Sequence, residues 1–348
     1  MTIFLLIVAG LLAALFAAGI FYQALGAARD ARRFPPPGRL VAIAENGSPR
    51  LHLLGSGDFG PTVILDAGIG ASSLSWSLVQ PLAARFARVY AYDRAGYGWS
   101  DSQRRANGPR IASRLAEELR ALLRAAEVPG PYILVGHSFG GYVARLYTER
   151  WPVEVAGLVM LDSPDASEWA HPTPEQRRRH LGGALFSRIG ARLARLGVVR
   201  FCLDRFTRGS RGLPVAVTSA FGPAALELVK RMVSQVMKYP PGDRRVAQAH
   251  WSRPGPFASL ADHLQHLPES AREVAACGSL GDLPLVVMTA SNPSPVRAAH
   301  QDAVACQSTR GRHIIAREGG HWLLLDQPAL VAQAIESVVE EVRAAAAR

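Results

Sequence analysis

Tyr132-Ile133-Leu134-Val135-Gly136-His137-Ser138-Phe139-Gly140-Gly141 passes from an apolar, β-branched run to a pair of glycines within ten residues. The run Ile133–Val135 reads as a buried parallel strand, and Gly141-Tyr142-Val143-Ala144-Arg145-Leu146-Tyr147 takes up helical spacing. Strand, sharp turn and helix therefore follow one another, with Ser138 at the apex. Glycine on both flanks has a steric cause, because a turn this tight tolerates no Cβ two residues before or after the apex. Such a turn holds the serine hydroxyl above the sheet, over the N-terminus of the following helix. G-x-S-x-G by itself is a weak signal, since a plain glycine-containing strand–helix turn reads the same way. The surrounding sequence has to discriminate.

Upstream, Arg39–Glu45 and Arg50–Leu54 are alternating runs joined through the hairpin signal Asn46-Gly47. Thr62–Asp66 is a strand running into Ala67-Gly68-Ile69-Gly70, and a helix carrying Trp76, Leu78, Leu82 and Phe86 leads to the strand Arg88–Asp93. An amphipathic helix near Ile111–Glu127 precedes the Ser138 turn, and Val155–Asp162 is a further buried strand. From Ser163 to about Leu280 the alternation stops. It resumes with the strand Leu283–Thr289, a helix near Val296–Gln307, the strand Arg312–Arg317 and a helix over Pro328–Ala347. Strands alternating with helices predict a mostly parallel sheet covered on both faces, with its site at the strands' carboxyl ends.

Four motifs in order resemble the α/β-hydrolase superfamily: the glycine loop 67–70, the D-x-x-G-x-G-x-S loop Asp93–Ser100, the serine elbow, and Glu318-Gly319-Gly320-His321-Trp322 after the last strand. The resemblance covers residues 39–162 and 283–346 and implies the α/β-hydrolase fold with a helical cap inserted after the strand ending at Asp162. The expected organisation is a transmembrane anchor at 1–26, a linker at 27–38, a core of 39–162 with 283–348, and a cap at 163–282.

A serine hydroxyl attacks only when a neighbouring base removes its proton. The resemblance makes Ser138 the nucleophile and His321 the base; His137, beside the apex, is read as structural. The acid of such sites usually follows the strand Leu285–Thr289, where Ala290-Ser291-Asn292-Pro293-Ser294-Pro295 offers no carboxylate. A variant layout puts it one strand earlier, where Asp162 stands; Asp165 and Asp302 are the alternatives, and a structural cap is the other use of such an Asp. Backbone N–H groups of Ile69 and Phe139 are the expected oxyanion donors. The loop Asp93–Ser100 is expected to be architectural.

Hydrophobic residues make up 49% of the 348 and charged residues 19%, which excludes a disordered chain and supplies a full core. Cys202, Cys277 and Cys306 contain no C-x-x-C pair, so a zinc site is not implied; one Cys277–Cys306 bridge stays open. No metal or organic cofactor is implied. Ile3–Tyr22 carries no charged side chain and is long enough to span a bilayer. It reads as an uncleaved single-pass anchor, with Ala24-Leu25-Gly26 as the cleavage site of a signal peptide under the other reading. Arg29, Arg32 and Arg33 after the span place the bulk of the chain on the cytoplasmic side. The formal charge is +11, of which Arg177–Arg211, with ten arginines against Asp204, carries +9. Within it Leu185, Phe186, Ile189, Leu193 and Leu196 are expected on one helical face flanked by Arg188, Arg192 and Arg195. That reads as a cap helix with solvated arginines or as a helix lying on anionic lipid, two compatible roles. No nucleic-acid motif accompanies the charge.

The sequence thus predicts a membrane-anchored serine hydrolase acting on an ester or lipid-like acyl substrate. Perhydrolysis or carbon–carbon bond hydrolysis would use the same triad, and a non-catalytic binding or signalling protein would use only the scaffold. A carboxylate at the elbow, needed for epoxide or haloalkane chemistry, is replaced by Ser138.

Overall fold

β3 (Thr62–Asp66), β5 (Tyr132–His137) and β6 (Val155–Leu161) are buried almost throughout, which is why they read as continuous apolar runs rather than alternating ones. In a computed structural model that describes residues 1–44, 49–102, 108–207, 234 and 236–347, they form the centre of one sheet. Its other strands are β1 (Arg39–Ala42), β2 (Arg50–Ser56), β4 (Arg88–Tyr92), β7 (Leu285–Thr289) and β8 (Gly311–Ile315), in the spatial order β1-β2-β4-β3-β5-β6-β7-β8. β1 pairs with β2, and β2 with β4, antiparallel; every other neighbouring pair is parallel. The Asn46-Gly47 turn lies outside the described residues, but the strands on either side pair from Arg39 opposite Leu53 to Ala42 opposite Arg50.

The chain divides into two compact units, residues 36–181 with 262–348 and residues 1–35 with 182–261. The first contains the sheet. Its helices α3 (Ala112–Ala125), α4 (Phe139–Arg150), α11 (Pro295–Ala305) and α13 (Pro328–Ala346) bury apolar stripes such as Leu115, Leu119 and Leu122 or Val331, Ile335 and Val338. The parallel register ends β3, β5, β6 and β7 at one edge, with Asp66 opposite Gly136, His137 opposite Leu161 and Leu161 opposite Met288. That edge gathers the candidate site. All three cysteines are free, so the Cys277–Cys306 bridge does not form.

The second unit contains α1 (Thr2–Arg33), most of α6 (Pro174–Arg195), α7 (Val198–Thr207) and α8 (Pro241–Trp251). α1 is long and apolar enough to cross a membrane. It continues through residues 27–33, expected from sequence to be linker, because Ala27, Ala28 and Ala31 are strong helix formers and Arg32 and Arg33 suit a helix C-terminus. The grouping also differs from the expected 163–282 cap: this unit takes only 182–261 and adds the N-terminal helix. In α6 the expected apolar face is not the buried one. Ala184, Ser187, Gly190, Ala191 and Ala194 are buried, whereas Phe186, Ile189, Leu193 and Leu196 are only partly buried and Leu185 is exposed. Small residues win the inner face because they let the backbone approach Phe257, whose ring lies where a Cβ on Gly190 would sit.

Candidate active site

Ser138 sits between β5 and α4 with φ +54° and ψ −122°, a left-handed backbone that costs a non-glycine residue on the order of 1–3 kcal/mol. Neighbouring structure holds it there: its N–H donates to the Leu161 carbonyl at 2.8 Å, and its own carbonyl accepts from Gly141 N–H at 2.9 Å. A Cβ on Gly136 would collide with the Gly140–Gly141 backbone, and one on Gly140 with the Asp66 carbonyl, so the turn closes only with glycine on both flanks. Between buried His137 and buried Phe139, Ser138 is the partly exposed residue. Phe139 is the first residue of α4, and the N–H groups of a helix's first turn have no partner within the helix.

His321 lies in the loop between β8 and α12 (Leu323–Asp326), with its side chain 47% exposed. Its Nδ1 is 2.6 Å from Asp162 Oδ2. Asp162 follows β6 with φ +45°, and its side chain is 5% exposed. The other carboxylate oxygen, Oδ1, accepts from Arg297 Nη2 at 2.8 Å and from the Ala290 N–H at 3.1 Å. Burial would raise the Asp162 carboxyl, but the hydrogen bond and charge of His321, with those of Arg297, outweigh it and hold the group well below the usual carboxylate range. Nδ1 of His321 therefore faces an anion, and Nε2 is left as the nitrogen able to accept a proton.

His137 fixes the same loop from below. Its Nε2–H donates to the His321 carbonyl at 2.7 Å, and its ring lies 4.9 Å from that of His321 and 5.4 Å from Trp322. Burial, reinforced by the charge of His321, pushes its pKa down to about 3, so it stays neutral as a donor. Asp165 instead caps α5 (Ala166–Ala170) and lies 3.2 Å from His300, while Asp302 pairs with His313 at 2.6 Å; neither is bonded to His321. Asn292, with φ +53°, is exposed.

Arg94 is the residue that the sequence reading passed over. It belongs to the Asp93–Ser100 loop, expected to be architectural, yet its buried guanidinium reaches the glycine loop. It donates to Asp66 Oδ1 and to the Ala67 carbonyl at 2.5 Å each, and to the Gly68 carbonyl at 3.4 Å. The Gly68 carbonyl also accepts from Ala71 N–H at 3.2 Å. In a trans peptide the C=O and N–H point opposite ways, so pinning the Gly68 oxygen turns the Ile69 N–H to the other side of the loop. Gly68 passes so close to the elbow that a Cβ there would lie 3.2 Å from both Ser138 Cβ and His137 Nδ1. An arginine among the glycines of the Asp93–Ser100 loop was the available signal. For Arg297 there was none, since it stands on α11, 135 residues after Asp162.

Such an arrangement can activate a serine and receive a developing oxyanion between two backbone N–H groups. The profile of the Alpha/beta hydrolase family matches residues 63–334. Uncharacterized protein YqjL of Bacillus subtilis is 33% identical over 127 residues, 36% of this chain and 49% of that protein. A 1-acylglycerol-3-phosphate O-acyltransferase of Arabidopsis thaliana is 35% identical over 123 residues, 33% of this chain and 28% of that protein. The chain thus spans about half, or less, of the length of these curated relatives. A thermophilic esterase from Thermogutta terrifontis superposes with a TM-score of 0.59 at 21% identity, over 87% of this chain and 97% of its own, and shares the fold. With its glycine loop, serine elbow and terminal histidine all inside the matched span, the chain belongs to the alpha/beta hydrolase family.

Proposed function

We propose that the chain is a membrane-anchored serine hydrolase that cleaves an ester or lipid-like acyl substrate through an acyl-enzyme. The observation carrying this reading is the 2.6 Å bond between His321 Nδ1 and Asp162 Oδ2, in a loop whose His321 carbonyl is tied to His137, the residue preceding Ser138. In the proposed reaction Ser138 Oγ attacks the acyl carbon while His321 Nε2 takes its proton. Asp162 holds the imidazole in the required tautomer and stabilises its charge. The N–H groups of Ile69 and Phe139 receive the oxyanion, each donor worth roughly 10²–10³ in rate. His321 then protonates the leaving alkoxide. Water, deprotonated by the same imidazole, attacks the ester on Ser138 and releases the acid.

The anchor is α1, and with the apolar segment inserted the arginines after it favour a cytoplasmic catalytic domain. The rival reading, an idle scaffold, drew on the missing carboxylate at 290–295; Asp162, bonded to His321, supplies one from the preceding strand. A fluorophosphonate probe separates the two. A labelled band from the detergent-solubilised chain that disappears in Ser138→Ala supports the hydrolase. Folded wild-type protein that takes up no label refutes it.

A further inference from the structure

We propose that the outward face of α6 docks on anionic phospholipid, at the surface of the bilayer that α1 enters. The inference rests on the reading of α1 as a membrane span and adds a second membrane contact to it. Two independent features carry it, one fixing where this unit meets the bilayer and the other showing what its surface would bind.

The first is the way α1 is sheathed. Ile3, Phe4, Leu5, Leu6, Ile7, Leu11, Leu15 and Phe16 are each more than half exposed. Protein contact begins at Gly19 on one side of the helix, while Ile20, Phe21 and Leu25 on the other side stay more than half exposed. Gly19 packs on the Leu196 carbonyl so closely that a Cβ would collide with it, and Tyr22 donates to Asp204 Oδ2 at 2.8 Å. Buried Gln23 donates to the Ser252 carbonyl at 3.0 Å and accepts from Arg200 Nε at 3.0 Å, while Arg200 Nη1 reaches Asp30 at 2.6 Å. At 1.5 Å per residue, the uncovered residues 2–18 supply about 25 Å of the roughly 30 Å that a hydrocarbon core requires. With Ile20 and Phe21 completing the span, the junction of α6 and α7, at Leu196 and Gly197, packs on α1 within about one turn of the end of the span, next to the headgroups. The Arg200–Asp30 pair lies further along α1, outside the hydrocarbon, where an ion pair is tolerated.

The second feature is the composition of the outward face of α6. A helix covering a soluble core buries its large apolar residues. Here alanine, serine and glycine pack innermost, leaving Phe186, Ile189, Leu193 and Leu196 only partly buried and Leu181 and Leu185 exposed. Leu185, Arg188, Arg192 and Arg195, spaced by three, four and three residues, form one exposed stripe. Leucine and arginine on one surface of a helix held at headgroup height match an anionic interface, where apolar side chains enter the acyl boundary and guanidinium groups meet phosphate.

The test uses the full chain, reconstituted in vesicles of phosphatidylcholine alone or of phosphatidylcholine mixed with phosphatidylglycerol. Leu185→Cys, in a chain whose Cys202, Cys277 and Cys306 are serine, carries an environment-sensitive nitrobenzoxadiazole label. With phosphatidylglycerol the label's emission is expected to rise several-fold and to be quenched by brominated lipid. A basic residue near an anionic surface is worth about a fivefold change in partitioning, so replacing Arg188, Arg192 and Arg195 with Gln is expected to weaken docking by about a hundredfold. In the unsubstituted chain, amide exchange over residues 185–196 is expected to slow when phosphatidylglycerol is present. Emission and exchange that are the same in both vesicles, with the protein resisting alkaline carbonate extraction, overturn the docking while sparing the anchor. Release by carbonate overturns both. Fluorophosphonate labelling of Ser138 in detergent reads the hydrolase separately, and the arginine variants are expected to label like wild type.

Discussion

Replacing Asp162 by Asn tests the candidate site most directly, because the surrounding hydrogen bonds dictate how the amide must lie. Oδ1 accepts from Arg297 Nη2 and from the Ala290 N–H, two donors that an amide nitrogen cannot satisfy. The Asn oxygen is therefore held at the Oδ1 position, and its NH2 group falls where Oδ2 now lies, 2.6 Å from His321 Nδ1. A donor facing Nδ1 forces that nitrogen to accept, and the ring proton moves to Nε2. In that tautomer the imidazole cannot take the proton of Ser138, and the charge that would stabilise the imidazolium is gone. The same exchange in a Ser-His-Asp protease costs about 10⁴ in kcat, equivalent to roughly 5.5 kcal/mol of barrier. Hydrolysis of a p-nitrophenyl ester, with KM and kcat separated, is expected to show that loss almost wholly in kcat, since the Asp162 side chain is buried. Fluorophosphonate labelling should slow in parallel. Asp165→Asn, whose carboxylate serves α5 and His300, is expected to keep turnover within a few-fold. An Asp162→Asn variant with kcat within tenfold of wild type refutes the assignment of the acid.

The same substitution has a consequence for stability. The carboxyl of Asp162 is held below its ordinary pKa, so its ion pairs stabilise the fold above about pH 4, the unfolded value, and this contribution fades as pH falls from there toward the folded value. The Tm difference between wild type and Asp162→Asn, followed by calorimetry, is expected to be steady down to about pH 4 and to close below it. Gly68→Ala places a methyl 3.2 Å from Ser138 Cβ and His137 Nδ1, so the loop must shift by a few tenths of an ångström. We expect kcat to fall at least tenfold with a small change in Tm. Arg94→Met keeps much of the side chain's bulk but releases the Ala67 and Gly68 carbonyls and leaves Asp66 unpaired in the core. Destabilisation of about 3–5 kcal/mol in urea is expected, as for a broken buried ion pair. In the protein that remains folded, ester hydrolysis should slow by roughly 10²-fold, the worth of one oxyanion donor.

Periodicity exposed the sheet because its central strands are buried on both faces, and Ile133–Val135, Val63–Leu65 and Leu158–Leu161 had to be apolar whatever surrounded them. The elbow was legible for a related reason. Gly136 and Gly140 are local steric necessities, and a necessity of that kind leaves its mark in adjacent residues. Two features left no such mark: the contact of Arg297 with Asp162, and the junction of α1 with α7. Each joins side chains far apart in the chain, and a lone arginine reads the same whether it meets solvent or a buried carboxylate. α6 stayed open between a core-covering and a lipid-facing helix for the converse reason. Its large apolar residues fit either reading, and which side packs depends on how closely the neighbouring backbone and Phe257 approach. The amino-acid order alone therefore determined the strand–turn–helix around Ser138, the order of the strands along the chain and the apolar segment at the N-terminus, all products of short-range sterics and burial. Tertiary structure alone decided which carboxylate meets His321 and which surface of α6 stays outside, because both depend on distances between segments that sequence spacing does not contain.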